Sequence, residues 1–465
     1  MADNSREIVL DTLLELEKGE EYSHRMIRGV LDKYNYLDAR DKSFIKRLTE
    51  GTIERRIEMD YYLDEVSSLP ARKMKPLIRC LLRMSAYQLI YMDSVPDSAV
   101  CNEAVKLAGK RGFRNLKGFV NGVLRNLAKK KGTFLLPDER QEPARFLSVK
   151  YSMPLWLVEL WLSEYGREVA ETLLEGLLQI HPVSLRFSSK LSGQEREERV
   201  KQLRRSGADP KASPYLPLVY SVKHTDNIGM LPGFAEGEFT VQDVSSALAV
   251  EAAGIKNTDF VIDICAAPGG KSIFAAEKAG LVLARDVSCE KTDVIEENIT
   301  RMGIGNIEVQ VYDATEFDES YREKADVVLM DVPCSGLGVM GKKRDIKYHV
   351  TPERIQSLTK LQRRIVDGSW RYVKPGGTLI YSTCTINPGE NEAMVKYISG
   401  ELPFEPVSLE GALPPVLWRQ KQELDARLES PLASEQEACI QLLPGYMESD
   451  GFFIAKFRRT ESLEL

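Results

Sequence analysis

Apolar residues recur at three and four spacing from Glu7 to Lys18, Ser43 to Glu54, Met59 to Ser68, Met74 to Tyr91, Ser98 to Lys110 and Phe113 to Lys130. That is the repeat of helices with one buried face, and it predicts an all-α domain over residues 1–135. The period is lost in GTFLLPDERQEPAR, residues 132–145, where two prolines mark a linker. A mixed α+β part is expected over 145–239. It holds an apolar helix with Trp156 and Trp161 as core anchors, a short strand in HPVSLRFSS and a charged helix from Ser192 to Ser206. From Thr240 the pattern changes to apolar strands alternating with helices: Phe260 to Ile264, Leu281 to Val287, Ile307 to Val311, Val327 to Met330 and Thr378 to Ser382. Such alternation calls for a doubly wound, Rossmann-like α/β domain over 240–465. The tail GFFIAKFRR, residues 451–459, reads as a closing strand at the sheet edge.

Length and composition agree with this multidomain reading. A chain of 465 residues with 43% hydrophobic and 28% charged residues is globular in composition and too long for one core. Its 63 Lys and Arg against 69 Asp and Glu give a net charge of −6, so any nucleic-acid surface must be local. No apolar run reaches membrane-spanning length, and the start MADNSREIVL lacks the pattern of an export signal, so the expectation is a cytoplasmic protein without membrane partners. Seven cysteines without a CxxC pair argue against disulfides and zinc knuckles. The four histidines, His24, His181, His224 and His349, are scattered, and no metal site is expected. A monomer is the default.

The sharpest local signal is FVIDICAAPGGKSIFAAEKAG, an apolar strand running through a small-residue loop into a helix expected from Ser272. Ala266, Ala267, Gly269 and Gly270 remove side-chain bulk where a ligand would approach the backbone, and Pro268 stiffens the turn. In an open parallel sheet such a loop faces the ligand crevice, with helix N–H groups free to donate. Neither GxGxxG nor GxxxxGK[ST] is present, which disfavours a dinucleotide or a phosphate cradle and with it a nicotinamide-linked oxidoreductase. Acids instead stand at the ends of the next two strands. Asp286 is placed to accept from ribose hydroxyls, and Asp313 to lie near an adenine amine. S-adenosylmethionine (SAM) fits both.

The next two strands each end in a cysteine on the same side of the sheet: Cys334 in VVLMDVPCSGLG and Cys384 in GGTLIYSTCTINPGENE. A single cysteine would read as a small buried hydrophobe. Two at facing loops suggest thiol chemistry, although a thiol near its free pKa of about 8.5 needs activation to attack at neutral pH. Carbon 5 of cytosine becomes nucleophilic enough to take a methyl group only after a thiolate has added at carbon 6 and a neighbouring group holds N3. Asp331, two residues before Pro333, is placed for that contact. Spacing does not say which cysteine attacks, nor which base removes the carbon 5 proton.

The CAAPGGK, DVPCSG and STCTINPGENE segments, with GFAEGEFTVQDVSSALA at 233–249, resemble bacterial RNA cytosine-5 methyltransferases. The N-terminal module, with SVPDSAVCNEAVKLA and GFVNGVLRNL, is similar to the NusB-like RNA-binding domain fused to the Sun/RsmB 16S ribosomal RNA methyltransferases, and the resemblance runs over nearly the whole chain. It implies SAM-dependent methylation of 16S ribosomal RNA, with Cys384 as nucleophile and Cys334 assisting product release. It places cofactor contacts on Cys265, Ala266, Ala267, Pro268, Gly269, Gly270, Lys271, Asp286, Asp313 and Asp331. One departure is at Arg186, where Phe187 and Ser188 follow and the family has Val and Asn. The same chemistry on transfer RNA or another RNA, and a non-catalytic RNA-binding regulator, are the competing readings; the intact Asp331, Cys334 and Cys384 weigh against the second.

Two basic stretches are candidates for holding RNA phosphates. One is 101–131, with nine basic residues (Lys106, Lys110, Arg111, Arg114, Lys117, Arg125, Lys129, Lys130 and Lys131) against Glu103. The other is Gly341-Lys342-Lys343-Arg344-Asp345-Ile346-Lys347, expected as a clamp beside the active site. The target cytosine would have to be single stranded or flipped out.

Overall fold

The computed structural model describes residues 5–19, 21–179, 182–223, 227–428 and 437–460. It forms two compact units, residues 1–178 with 342–349, and residues 179–341 with 350–465. The three-part division expected from sequence is thus regrouped, because the helices of 145–178 go with the first unit and the short strands after them with the second.

The first unit is helical: α1 (Ser5–Leu16), α2 (Ser23–Lys33), α3 (Ala39–Glu54), α4 (Arg56–Val66), α5 (Pro76–Tyr91), α6 (Asp97–Lys110), α7 (Lys117–Lys130), α8 (Pro143–Lys150) and α9 (Leu155–Leu178). Its centre is α5, on which Ile78, Leu81, Leu82, Met84, Ala86 and Leu89 are buried. A helix apolar on nearly every side belongs in the middle of a bundle. Helix α2 was not expected from sequence; its apolar set is short and only Ile27 is buried among large residues. Trp161 is fully buried, as expected for a core anchor.

The segment 342–349, with the short helix α14 (Ile346–His349), folds into this first unit. Its polar side chains serve the helices. Asp345 accepts from the Ser23 N–H at 2.5 Å, near the start of α2. Lys347 is 3% exposed and donates to the carbonyls of Glu54 and Ser152 at 2.8 and 2.6 Å. Arg344 lies 3.4 Å from Glu54 and 3.8 Å from Glu50, and Tyr348 donates to the Ile53 carbonyl. The expected RNA clamp is therefore corrected at Arg344 and Lys347, which are spent inside the helical unit; Lys342 and Lys343 are the exposed part of the run. Of the other basic stretch, Lys106, Lys110, Arg111 and Lys131 pair with Glu103, Glu7, Asp11 and Asp93. Arg114, Lys117, Arg125, Lys129 and Lys130 remain exposed along α7 and the turn before it.

The second unit contains two sheets. The smaller, antiparallel one runs β2 (Asp209–Ala212), β3 (Val219–Lys223), β1 (Val183–Phe187), β4 (Phe239–Val241), backed by α10 (Gly193–Arg205). The larger comprises β5 (Phe260–Asp263), β6 (Leu281–Asp286), β7 (Ile307–Val311), β8 (Ala325–Asp331), β9 (Val373–Thr383), β10 (Phe404–Pro406), β11 (Cys439–Leu442) and β12 (Phe452–Arg459). Its order is β10-β12-β9-β8-β5-β6-β7, with β11 also on β12. Strands β5 to β9 pair in parallel and β12 runs antiparallel to β9. The expected edge placement of 451–459 is corrected, because β12 lies between β9 and β10. The edge is Phe404–Pro406, three residues ending in a proline, too short to announce itself by alternation. The connecting helices are α11 (Val244–Ala253), α12 (Gly270–Ala276), α13 (Cys289–Met302), α15 (Pro352–Ser369), α16 (Glu392–Glu401) and α17 (Pro415–Asp425).

This order places a topological switch point between β5 and β8. The chain leaves β5 toward β6 and β7 on one side, then returns to β8 and β9 on the other. Ligands of open α/β sheets bind beyond the carboxyl ends of the strands at such a point.

Candidate active site

Every site residue expected from sequence falls at or just after the carboxyl end of a parallel strand: Cys265–Lys271 after β5, Asp286 ending β6, Asp313 after β7, Asp331 ending β8, Cys334 beyond it, and Cys384 after β9. The β5–β7 side carries the small-residue loop and two of the acids, and the β8–β9 side carries the thiols.

The loop after β5 is held open from both ends. Asp286 is 4% exposed and accepts from the Ala267 N–H at 3.0 Å with one oxygen; the other accepts from Val287 N–H and Lys291 Nζ, both at 2.8 Å. Gly269 begins α12 with φ +98°, a conformation side chains avoid, and a Cβ there would meet Ile295 at 3.2 Å. The helix thus starts at Gly270, two residues before the expected Ser272. Beneath the loop, fully buried Asp263 accepts from the Ser272 hydroxyl at 2.7 Å, and its other oxygen has no partner among the described residues. Burial pushes its carboxyl up to about 6. Asp263 was missed in the sequence reading, although it ends the strand FVID. Asp313 is exposed and accepts from Thr315, whose backbone and hydroxyl hydrogen bonds lower its pKa. Burial pushes the Cys265 thiol well above its ordinary value.

Across the switch point, Asp331 accepts from Lys271 Nζ at 2.7 Å and from the Ser382 hydroxyl at 2.8 Å. Burial disfavours the Lys271 ammonium, but the Asp331 charge and hydrogen bond outweigh it, helped by Asp263 and Cys384, and the lysine pKa ends above its ordinary value. Lys271, expected at the cofactor, is therefore anchored on Asp331. The Cys334 and Cys384 sulfurs are 3.4 Å apart, close enough for one thiol to donate to the other. Cys334 is pushed well above the usual thiol range, first by the hydrogen bond with Cys384, then by burial and by the neighbouring charges of Cys384, Glu390 and Asp331.

A buried polar network that sequence reasoning did not single out surrounds the thiols. Ser335, Thr385, Asn387, Glu390, Asn391 and Gln362 are all under a tenth exposed. Thr383 donates to Asn391 at 2.6 Å, and Asn391 donates in turn to the Thr385 carbonyl and to Gln441. The Gly338 N–H donates to the Cys384 carbonyl at 3.0 Å, while the Gly338 carbonyl accepts from Gly451 N–H at 2.9 Å. The signal was the polar run INPGENE directly after an apolar strand, where an ordinary loop would have no reason to bury so many amides.

Arg186 is the departure noted above. Its guanidinium is fully buried, bonds Gln242 and both oxygens of Glu277, and covers the Phe274 ring at 4.3 Å. It braces α12 from below. Among the described residues no group of His, Cys, Asp and Glu could hold a metal, and no helix is long and apolar enough to cross a membrane; His181 and His224 lie outside them.

A parallel sheet with a small-residue loop after β5, acids at the next strand ends and a switch point between β5 and β8, flanked by the antiparallel β12, has the arrangement of the SAM-dependent methyltransferase class. Comparison with known proteins agrees. Residues 251–458 match the model of the 16S rRNA methyltransferase RsmB/F family, and residues 3–129 match the NusB family. A Bacillus subtilis protein named probable ribosomal RNA small subunit methyltransferase B is 34% identical over 467 residues, covering 98% of each chain. The ribosomal RNA small subunit methyltransferase B of Cronobacter sakazakii is 30% identical over 421 residues, covering 90% of each. Among solved structures, PH0851 superposes with a TM-score of 0.77 at 24% identity, over 99% of this chain and 100% of that one. A methyltransferase homolog from Pyrococcus horikoshii reaches 0.57 at 26% identity, over 68% of this chain and 99% of that one. The chain belongs to the RsmB/F family of methyltransferases, carries an all-helical NusB-family domain ahead of its α/β domain, and uses SAM.

Proposed function

We propose that the protein methylates carbon 5 of a cytosine in 16S ribosomal RNA through a transient bond between Cys384 and carbon 6. The observation that carries this is the pair of thiols 3.4 Å apart, beyond the strand end where Lys271 and Ser382 hold Asp331. In this reading the backbone of Cys265, Ala266, Ala267, Pro268, Gly269 and Gly270, with Asp286 and Asp313, holds the cofactor. The cradle fits it, since the loop presents no side chain larger than a proline ring and Gly269 takes a φ of +98° that side chains avoid, with Ile295 3.2 Å from where a Cβ would stand. Bound SAM supplies an electrophilic methyl group.

The chain's own residues do the rest. The Cys384 thiolate gives its electron pair to carbon 6, and the displaced pair collects at carbon 5. Asp331, whose oxygens already accept from Lys271 and Ser382, faces the base as an acceptor and holds a proton on N3, with Lys271 as the nearest donor. That proton draws charge off the ring and lowers the cost of breaking its aromaticity. After carbon 5 has taken the methyl group, a general base takes its proton, the freed pair re-forms the double bond and expels the Cys384 thiolate, and the N3 proton returns to Lys271, with Cys334 assisting at contact distance of the leaving sulfur. RNA is held by the 1–135 domain through the exposed cations of α7, with 145–239 as a second RNA-contacting part and the 240–465 domain as the catalyst. The chain acts as a cytoplasmic monomer without a metal.

The test is transfer of tritiated methyl to unmodified small-subunit ribosomal RNA and to transfer RNA. Label in ribosomal 5-methylcytosine, lost in Cys384→Ala, with a protein–RNA adduct accumulating in Cys334→Ala, is the expected result. Label confined to transfer RNA would move the substrate. Transfer that survives Cys384→Ala would remove the covalent step.

A further inference from the structure

The chemistry above asks two neighbouring thiols to behave differently, and Glu390 supplies an asymmetry between them. Its side chain is fully buried, and two donors converge on each oxygen. Ser335 N–H and Gln362 Nε2 reach Oε1 at 2.9 and 3.0 Å, while the Ser335 hydroxyl and Asn387 Nδ2 reach Oε2 at 2.5 and 2.9 Å. Both oxygens are thus doubly engaged, which fixes the carboxyl group between the two segments. All four donors are neutral, so nothing cationic cancels the charge in contact. Ser335 adjoins Cys334, and its hydroxyl also lies 2.6 Å from the Thr385 hydroxyl next to Cys384. The carboxylate therefore ties the loop after β8 to the segment after β9. Its charge acts on Cys334, whereas the Lys271 ammonium and Cys384 act on each other. Asp331, the partner of that ammonium, also acts on Cys334, so two negative groups bear on this sulfur.

We propose that Glu390 is a positioning residue that divides the labour between the cysteines: it locks the Ser335 loop against residues 384–391 and keeps the one proton shared by the pair on Cys334, leaving Cys384 as the thiolate. The Cys334 S–H then donates to the Cys384 sulfur, and no proton has to move before attack. This rests on the reading of Cys384 as nucleophile, and its test runs without RNA.

The test is initial-rate alkylation of the full chain by iodoacetamide from pH 6 to 10, followed by peptide mass. In the unaltered chain Cys384 is expected to become reactive at lower pH than Cys334. In Glu390→Gln the Cys334 rate near neutral pH is expected to rise about tenfold relative to that of Cys384. Ser335→Ala removes the hydroxyl bonds to Glu390 and Thr385 but keeps the Glu390 carboxyl group and the Ser335 N–H bond to it, and is expected to leave the ratio of the two rates unchanged. Cys334 titrating at or below Cys384 in the unaltered chain would overturn the proposal, as would an unchanged ratio in Glu390→Gln or an equal change in Ser335→Ala. If Glu390→Gln loses cofactor binding by calorimetry, the order of titration in the unaltered chain decides the matter. Failure of the nucleophile assignment shows separately, as methyl transfer that survives Cys384→Ala.

Discussion

Replacing Gly338 by alanine tests whether the Cys334 loop must sit where the structure puts it. A Cβ at this position would stand 1.9 Å from the Gly451 carbonyl oxygen and 2.5 Å from its carbon, and the opposing atoms are backbone that cannot rotate aside. Carbon contacts below 3.0 Å are essentially never tolerated, so the loop or the Gly451 strand must retreat by more than about an ångström. The Gly338 N–H also donates to the Cys384 carbonyl at 3.0 Å, so a shift of Gly338 disturbs that bond. Displacing a catalytic group by about 1 Å can cost about a hundredfold in rate, and that loss is the expectation for single-turnover methyl transfer by Gly338→Ala. Cofactor affinity, set by the loop after β5 and by Asp286, is expected to hold in calorimetry. A variant that transfers methyl within about threefold of the unaltered chain, roughly 0.6 kcal/mol, would refute the claim that this contact positions the thiols.

Four further outcomes follow from the geometry. Arg186→Met strands the Glu277 carboxylate in a site where both side chains are fully buried, and is expected to cost about 3–5 kcal/mol in urea unfolding, while adding Glu277→Leu restores most of it. For Asp263, the folded-state pKa is raised from 3.8 to about 6, so the unfolded chain loses this proton first and stability falls as pH rises through that window. Asp263→Asn is expected to remove this fall and to gain up to about 3 kcal/mol at pH 7 relative to its effect at pH 4; equal effects at both values would sink the assignment. Reversing Arg114, Lys117, Arg125 and Lys129 to glutamate is expected to weaken ribosomal RNA binding and to lower the slope of log affinity against log salt by about 3, at about 0.7–0.9 per phosphate contact. Reversing Lys342 and Lys343 is expected to weaken RNA binding with cofactor affinity unchanged, since Arg344 and Lys347 already serve the helices.

The parts of the fold that were legible in the sequence are those governed by local period. The five parallel strands, the helical start of the chain and the small-residue loop each announce themselves in a single stretch, because burial on one face imposes its own repeat. Asp286, Asp313, Asp331 and both cysteines could be placed for the same reason, being marked by the strand ends that carry them, whereas Asp263 at the end of β5 was passed over. What escaped depends on partners far away in the chain. Nothing in GFFIAKFRR says that Phe404–Pro406 will cover its outer side. Nothing in the basic run 341–347 distinguishes a lysine that meets phosphate from Lys347, which meets the carbonyls of Glu54 and Ser152. Glu390 looked like any acid in a polar loop until four donors were seen to converge on it. Its role is written in the residues around it, Ser335 and Gln362 among them, and not in its own neighbourhood of sequence.

The placement of 342–349 has a consequence for dissection of the molecule. The helical unit is discontinuous, so a fragment ending at Leu178 lacks one of its own pieces. In it the Ser23 N–H would lose the carboxylate of Asp345, and the carbonyls of Glu54 and Ser152 would lose their lysine. The strip of chain that leaves the β8 loop a few residues after Cys334 is part of the other unit's interior. A single proteolytic cut after Leu178 will therefore not yield two complete folds.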